Sequence, residues 1–385
     1  MLLSQFFVAT AVYASNAVAA TLPTPSGPHG VAFATLELIN PKLLDPWAPS
    51  KSLRRMMVSG FYPTGNRKHC QPKTIPYMPP STAAIYDKMY SSIGLPPGSF
   101  ESIKLPVCDV NITAKRPNHP QYPVLLFSPG LGNSRLLYGA MAQSLASQGY
   151  VVITIDHPYD AAVVEFPDGS LTLAANISTV DQITRAVEVH RKDASFLLDQ
   201  LHNTTVTHQL FAGLRGSLDL GNIKMLGHSL GGATAAAVVL QDDRVHAGIN
   251  LDGTFFGPVL QKGLDLPFMI FAHQGKNESN DPSWAKVWPL LNSSKVQVAI
   301  DGTQHGSYVD FPILLKTLGL KSARLAELEG LIGTVEGERM LDILTTYIKA
   351  FFDFVGGKPA YAGLQGPTKD FPEVDVIHSS LVKHG

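Results

Sequence analysis

Cysteine is nearly absent: Cys70 and Cys108 are the two in 385 residues. That excludes a disulfide-dense scaffold and four-cysteine zinc modules. Net charge is nearly absent too, with 30 Lys and Arg against 31 Asp and Glu. No field of one sign is available to draw nucleic acid or an anionic membrane, so a neutral or zwitterionic substrate fits better than a polyanion. No apolar run is long enough to span a bilayer; the apolar stretch at residues 2–13 is too short. No second His or Cys cluster completes a ligand set around Asp156, His157 and Asp160, so no metal and no cofactor are expected.

What is present is a chain 45% hydrophobic and 16% charged, enough to bury one large core. Residues 1–20 read as a signal peptide, because the short apolar stretch is followed by the small residues Ala17, Val18 and Ala19 of a cleavage site. Secretion is the expectation, and Asn111, Asn176, Asn203, Asn277 and Asn292 each open a glycosylation sequon. In an oxidising compartment Cys70 and Cys108 form one disulfide or remain as two buried thiols. A single catalytic domain is expected over residues 21–355, with 356–385, rich in Gly and Pro, as a loosely packed tail.

Two antiparallel edge strands are expected at 31–39 and 53–62, then mostly loop over 63–120 with one short helix at 81–93. From Tyr122 the pattern alternates. Apolar runs at 124–127, 151–155, 222–226, 245–251, 267–272 and 295–300 read as buried strands. The stretches 136–148, 179–201 and 336–355 read as amphipathic helices. Alternation of this kind predicts a mostly parallel central sheet with helices on both faces.

Gly227-His228-Ser229-Leu230-Gly231 closes the 222–226 strand and opens a run of small, helix-compatible residues. A Gly-x-Ser-x-Gly turn between strand and helix is a nucleophile elbow, with glycines where any Cβ would collide across the turn. In an open α/β sheet the chemistry belongs at the carboxyl ends of strands. Asp252 ends the strand after the elbow and His305 lies in the loop after 295–300. The order Ser, Asp, His is the one an α/β-hydrolase requires. Ser229 is then the nucleophile, His305 its base and Asp252 the group that holds the imidazole. The oxyanion amides fall at Leu230, after the nucleophile, and at Leu131 in the glycine-bearing loop 128–134. Glu278 and Asp281 are alternative acids. His228 shapes the elbow, and His273 either lines the pocket or is structural. Leu136, Leu137, Phe255 and Phe256 flank the proposed catalytic loops as candidate acyl-pocket residues. Trp284, Val287, Trp288 and Leu291 share one helical face and read as core or as a lipid-touching lid.

Phe127-Ser-Pro-Gly-Leu-Gly132, residues 135–138 and 145–150, Gly227 to Thr234, Asn250-Leu-Asp252 and His305 resemble, in order over residues 122–310, the plasma-type platelet-activating-factor acetylhydrolases (isoform II). By that resemblance Ser229, Asp252 and His305 match the family's triad, and Leu131 and Leu230 its oxyanion amides. The implied fold is α/β-hydrolase. The implied activity is calcium-independent hydrolysis of short or oxidised acyl esters, typified by the sn-2 acetyl group of an ether phospholipid, with transient contact to lipid surfaces. Pro129 stands where animal members carry His, and Leu230 where they carry Phe, so the mouth of the site differs. A broader lipase or polyester hydrolase and an acyltransferase share the same acyl-enzyme chemistry. A non-catalytic binding protein is disfavoured by the complete Ser, Asp, His set.

Overall fold

The computed structural model describes residues 19–110, 120–320 and 326–382; most of the expected leader and the Asn111 sequon lie outside them. Nine strands form one sheet: β1 (His29–Leu44), β2 (Leu53–Asn66), β3 (Gln121–Ser128), β4 (Val151–Ile155), β5 (Ser217–His228), β6 (Val245–Leu251), β7 (Phe268–His273), β8 (Lys295–Ile300) and β9 (Val374–Ser380). Their spatial order is β9-β8-β7-β6-β5-β3-β4-β2-β1. The six central strands run parallel, and β1, β2 and β9 are antiparallel to their neighbours.

The apolar runs are continuous because both faces are covered. Along β3, Leu125 and Phe127 enter one core with α2 (Gly139–Ser147) and α6 (Gly337–Val355). Val124 and Leu126 enter the other with α3 (Val180–Gln200) and α4 (Leu230–Gln241). α3 begins at a capping box in which the Thr179 hydroxyl accepts from the Gln182 amide. α4 packs tightly because Ala233, Ala235, Ala236 and Ala237 are all buried.

Two expectations need correction. The described residues between 63 and 120 are not mostly loop: Ala20–Thr21, Pro72–Pro76 and Ile103–Cys108 form a small second sheet, and α1 (Pro80–Met89) packs beside it. The Cys70–Cys108 disulfide closes this unit across 38 residues, which constrains the unfolded chain by about 4 kcal/mol in the loop-entropy account. The described part of the expected 356–385 tail, residues 356–382, is not loose either, since β9 pairs along the whole of β8 and Leu364 and Val374 are fully buried. The alternating Val374, Val376 pattern was masked by the Gly and Pro around it.

Asp310 sets the position of the loop that carries His305. Its Oδ2 accepts from the Tyr77 hydroxyl and the Ala140 amide, both at 2.7 Å, and its own amide donates to the Leu137 carbonyl at 2.8 Å. Burial pushes its carboxyl up to about 7, against those hydrogen bonds, which pull the other way. The folded value lies above the unfolded value of about 4. The stability its proton contributes is therefore complete below about 4 and lost as pH rises through about 7. Urea unfolding should show stability falling by about 1–3 kcal/mol between pH 5 and 8, and Asp310→Asn should flatten that slope. A slope that persists in the variant assigns it to another group.

Candidate active site

β5 delivers Ser229 into the turn, where its backbone adopts φ 54° and ψ −119° and α4 starts one residue later. Such a conformation costs a non-glycine residue about 1–3 kcal/mol and persists only when its surroundings impose it. The imposition is visible in the glycines. A Cβ on Gly227 would lie 2.2 Å from the Gly231 carbonyl oxygen, and one on Gly231 would lie 1.9 Å from that of Ser128. The elbow and the loop after β3 are thus packed backbone on backbone. Ser229 itself stays half-buried.

Asp252 follows β6 in a left-handed conformation, φ 63°, and is fully buried. His305 Nδ1 donates to its Oδ2 at 2.5 Å, while half of the His305 side-chain surface remains exposed. His273, left open by the sequence, also turns to this carboxylate. Its Nδ1 donates at 2.8 Å and its backbone amide at 3.1 Å. The Lys276 ammonium donates to the Asp252 carbonyl at 2.7 Å and lies 3.8 Å from Oδ1. Burial alone would raise the Asp252 carboxyl, but hydrogen bonds from the two histidines and the Lys276 charge outweigh it and hold it well below the usual carboxylate range. The alternative acids are committed elsewhere: Asp281 caps α5 (Pro282–Val287) and accepts from Thr254, and Glu278 faces His378.

His228 is neither base nor ligand. Its Nε2 donates to the His305 carbonyl at 3.1 Å, and the Tyr138 hydroxyl donates to its Nδ1 at 2.9 Å. A carbonyl can only accept, so this pairing sets the tautomer. Burial and the neighbouring His305 push the His228 imidazole down to about 3, so it stays neutral. Tyr138 in turn accepts from the Gly130 amide at 3.1 Å. One neutral ring therefore ties the elbow to the His305 loop and, through Tyr138, to the loop after β3.

In that loop Gly130 and Gly132 both donate, Gly132 to Asp160 Oδ1 at 3.0 Å. Between them the Leu131 amide has no acceptor among the described residues, and neither has the Leu230 amide at the start of α4. Two free amides beside a strained serine are what a developing oxyanion needs.

The pocket expectation is partly overturned. Leu137 is fully buried in the core beneath α2 and α6, with Leu136 beside it, and Phe255 packs against Phe268 in the opposite core. Phe256 alone of the four packs at the site, against a small cluster containing Leu230, Ile177 and Val187, with Trp47, Ala175 and Ile183. Sequence reasoning missed the rest of this wall because its members come from separate places: the β1–β2 turn, the segment leading into α3, and α3 itself. The Trp284 face is core, not lid: Trp284 and Val287 are fully buried, and Trp284 Nε1 donates to the Gly253 carbonyl at 2.8 Å.

Asp156, His157 and Asp160, weighed above as ligands, serve ion pairs and hydrogen bonds instead. Asp156 pairs with Arg135, and His157 with Asp193. Among the described residues the cluster with ligand-like spacing is Asp252, His273 and His305. There the Lys276 ammonium already supplies positive charge, and a metal would have to take Nδ1 of His305 from its carboxylate.

A serine on a strand-to-helix turn, with a buried carboxylate and an imidazole at the carboxyl ends of β6 and β8, defines an esterase of the α/β-hydrolase fold. The comparisons agree. The solved structure of a ferulic acid esterase from Streptomyces cinnamoneus matches with a TM-score of 0.76 and 28% identity, covering 94% of this chain and all of that one. A probable 1-alkyl-2-acetylglycerophosphocholine esterase of Arthroderma benhamiae is 31% identical over 95% of this chain and 96% of its own length. The platelet-activating factor acetylhydrolase of Cavia porcellus is 25% identical over 60% of this chain and 57% of its own. The profile of platelet-activating factor acetylhydrolase, isoform II, matches residues 61–167 and 174–353. The chain belongs to that family.

Proposed function

We propose that this esterase removes the sn-2 acetyl group of ether phospholipids of the platelet-activating-factor type. The observation that carries the reading is the buried Asp252 carboxylate held on His305 Nδ1 at 2.5 Å, at the sheet edge where Ser229 is strained. Ser229 Oγ attacks the acetyl carbonyl and passes its proton to His305 Nε2. The oxyanion is received by the Leu131 and Leu230 amides. The lyso-phospholipid alkoxide leaves with the proton from His305. Water then attacks the acetyl-serine, gives its proton to His305, and acetate is released. Trp47, Ile177, Ile183 and Phe256 form the apolar wall next to Leu230 that the acyl group meets. The names of the Arthroderma benhamiae and Cavia porcellus relatives support the substrate.

The leader motif and the sequons support a secreted glycoprotein. Asn176, Asn203 and Asn292 are exposed and Asn277 is half-buried. The disulfide fits an oxidising compartment. No helix among the described residues is long and apolar enough to cross a membrane. Contact with lipid is transient in this reading, and no metal or cofactor takes part.

A second reading, an esterase of aromatic or longer acyl groups, is favoured by the ferulic acid esterase likeness. Hydrolysis of a 2-acetyl ether phospholipid, its long-chain diacyl counterpart and methyl ferulate separates the two. Turnover of the acetyl compound alone, by about a hundredfold or more, supports the first. Comparable turnover of all three, or preference for the ferulate, overturns it.

A further inference from the structure

The Leu131 turn is held at both ends by buried groups that take no part in the proposed chemistry. At its start the Ser128 hydroxyl donates to His157 Nε2 at 2.9 Å, and His157 Nδ1 donates to Asp193 at 2.8 Å. Asp193 is locked in turn by Arg54. These are the residue types of a catalytic triad, but Ser128, His157 and Asp193 are all at most 2% exposed. The array is therefore an anchor closed to substrate. At the other end the Gly132 amide donates to Asp160 Oδ1 at 3.0 Å, and the Gly132 carbonyl accepts from the Ala162 amide at 2.9 Å.

Asp160 reaches further. Its Oδ2 lies 3.1 Å from His190 Nε2, on α3. The His190 ring stacks on that of His157 at 3.6 Å between centroids, 9° from parallel. His190 Nδ1 is 3.4 Å from the Thr234 hydroxyl, which donates to the Leu230 carbonyl at 3.0 Å. No Lys or Arg pairs with Asp160 among the described residues. The Asp160 side chain accepts one hydrogen bond, from the Gly132 amide, while its Oδ2 lies against the His190 ring without a hydrogen bond; a buried carboxylate so sparsely partnered is costly to keep. Its two oxygens face the two elements that supply the free amides: the loop after β3 through Gly132, and the elbow helix through His190 and Thr234.

We propose that Asp160, with His190, is a positioning residue of the oxyanion hole, fixing the Leu131 amide relative to that of Leu230. This rests on the reading of Ser229 as nucleophile and of those two amides as its oxyanion donors. Asp160 touches neither substrate nor triad, so its removal acts on transition-state stabilisation and leaves ground-state binding alone.

The test compares wild type with Asp160→Ala and Asp160→Asn. Active sites are counted by fluorophosphonate labelling run to completion, so that unfolded protein does not enter the rates. The expected result for Asp160→Ala is a fall of about 10- to 100-fold in kcat/KM for nitrophenyl acetate per labelled site. Affinity for a trifluoromethyl ketone, which forms an oxyanion on Ser229, should fall by the same factor. Affinity for a non-reacting amide isostere of the ester should change less than threefold. Asp160→Asn keeps an acceptor for Gly132 and should stay within about fivefold of wild type. If the alanine variant does not fold, His190→Phe, which keeps the stack on His157 but removes the nitrogen facing Asp160, should lower kcat/KM and ketone affinity together by at least about threefold. A folded Asp160→Ala, or His190→Phe in its place, with wild-type ketone affinity per labelled site overturns the proposal alone. A wild-type protein not labelled at Ser229 overturns the nucleophile assignment and this proposal with it.

Discussion

Ser229→Ala should lower kcat on a 2-acetyl ether phospholipid by about ten-thousand-fold or more, with the fold intact. The substitution removes the hydroxyl and leaves a methyl group that fits wherever the serine Cβ fits. The strained φ of 54° at this position is imposed by Gly227, Gly231 and the Ser128 carbonyl, none of which the change touches. Thermal unfolding should therefore move by no more than a few degrees. The magnitude follows from the way a triad works. Once the nucleophile is gone, His305 and Asp252 have no proton to move, and the free amides contribute only what they can offer a water attack. A variant that keeps a tenth of the wild-type rate would show that another nucleophile carries the reaction.

Asp252→Asn should cost about a thousand- to ten-thousand-fold in kcat, close to the loss of the base itself. An amide can present either oxygen or nitrogen to His305 Nδ1, but the carboxylate here also accepts from His273 Nδ1 and the His273 amide. One amide oxygen does not replace two charged ones, and the amide nitrogen would face an imidazole N–H. His305 then loses the partner that holds its tautomer and stabilises it when charged. Because the native carboxyl is held low, its ionised form contributes stability that is present above about pH 4 and lost only as pH falls below its ordinary range. Loss of activity on the acid side above pH 5 therefore does not arise from Asp252. His273→Asn is the control. His273 donates to the carboxylate from the far side, so its loss should cost less than about tenfold while His305→Asn costs several thousandfold. Equal losses for the two histidines would remove the distinction between base and bystander.

The elbow was legible in the sequence because its requirement is local: two glycines at fixed distance from a serine answer contacts within the same turn and with the strand alongside. The positions of Asp252 and His305 were legible because strand ends can be read from apolar runs: Asp252 follows Val245–Leu251 directly, and His305 lies in the loop after Lys295–Ile300. The Leu131 and Leu230 amides, proposed as oxyanion donors, were reached from the same address. What was not legible is made by residues far apart in the chain. Trp47, Ile177, Ile183 and Phe256 meet beside Leu230 with no common motif. Arg54 reaches Asp45 and Asp193, the latter 139 positions away. His273 was ambiguous because a strand-end histidine has the same local signature whether it faces the triad acid or the core. Leu137 and Phe255 misled for the converse reason. Their neighbours are functional, but successive positions in a tight turn point in different directions, and apolar side chains there are drawn into the nearest core.

The closing strand, Val374–Ser380, has a practical consequence. Its seven residues cover the edge of Lys295–Ile300, which leads directly into the turn bearing His305. A protein shortened after Val355 would present that edge as a row of open backbone donors and acceptors, and such rows recruit one another between molecules. Trimmed preparations should therefore precipitate or associate before they lose the triad geometry. A purification handle placed after residue 382 is safe only if its linker leaves this strand free to zip onto its neighbour.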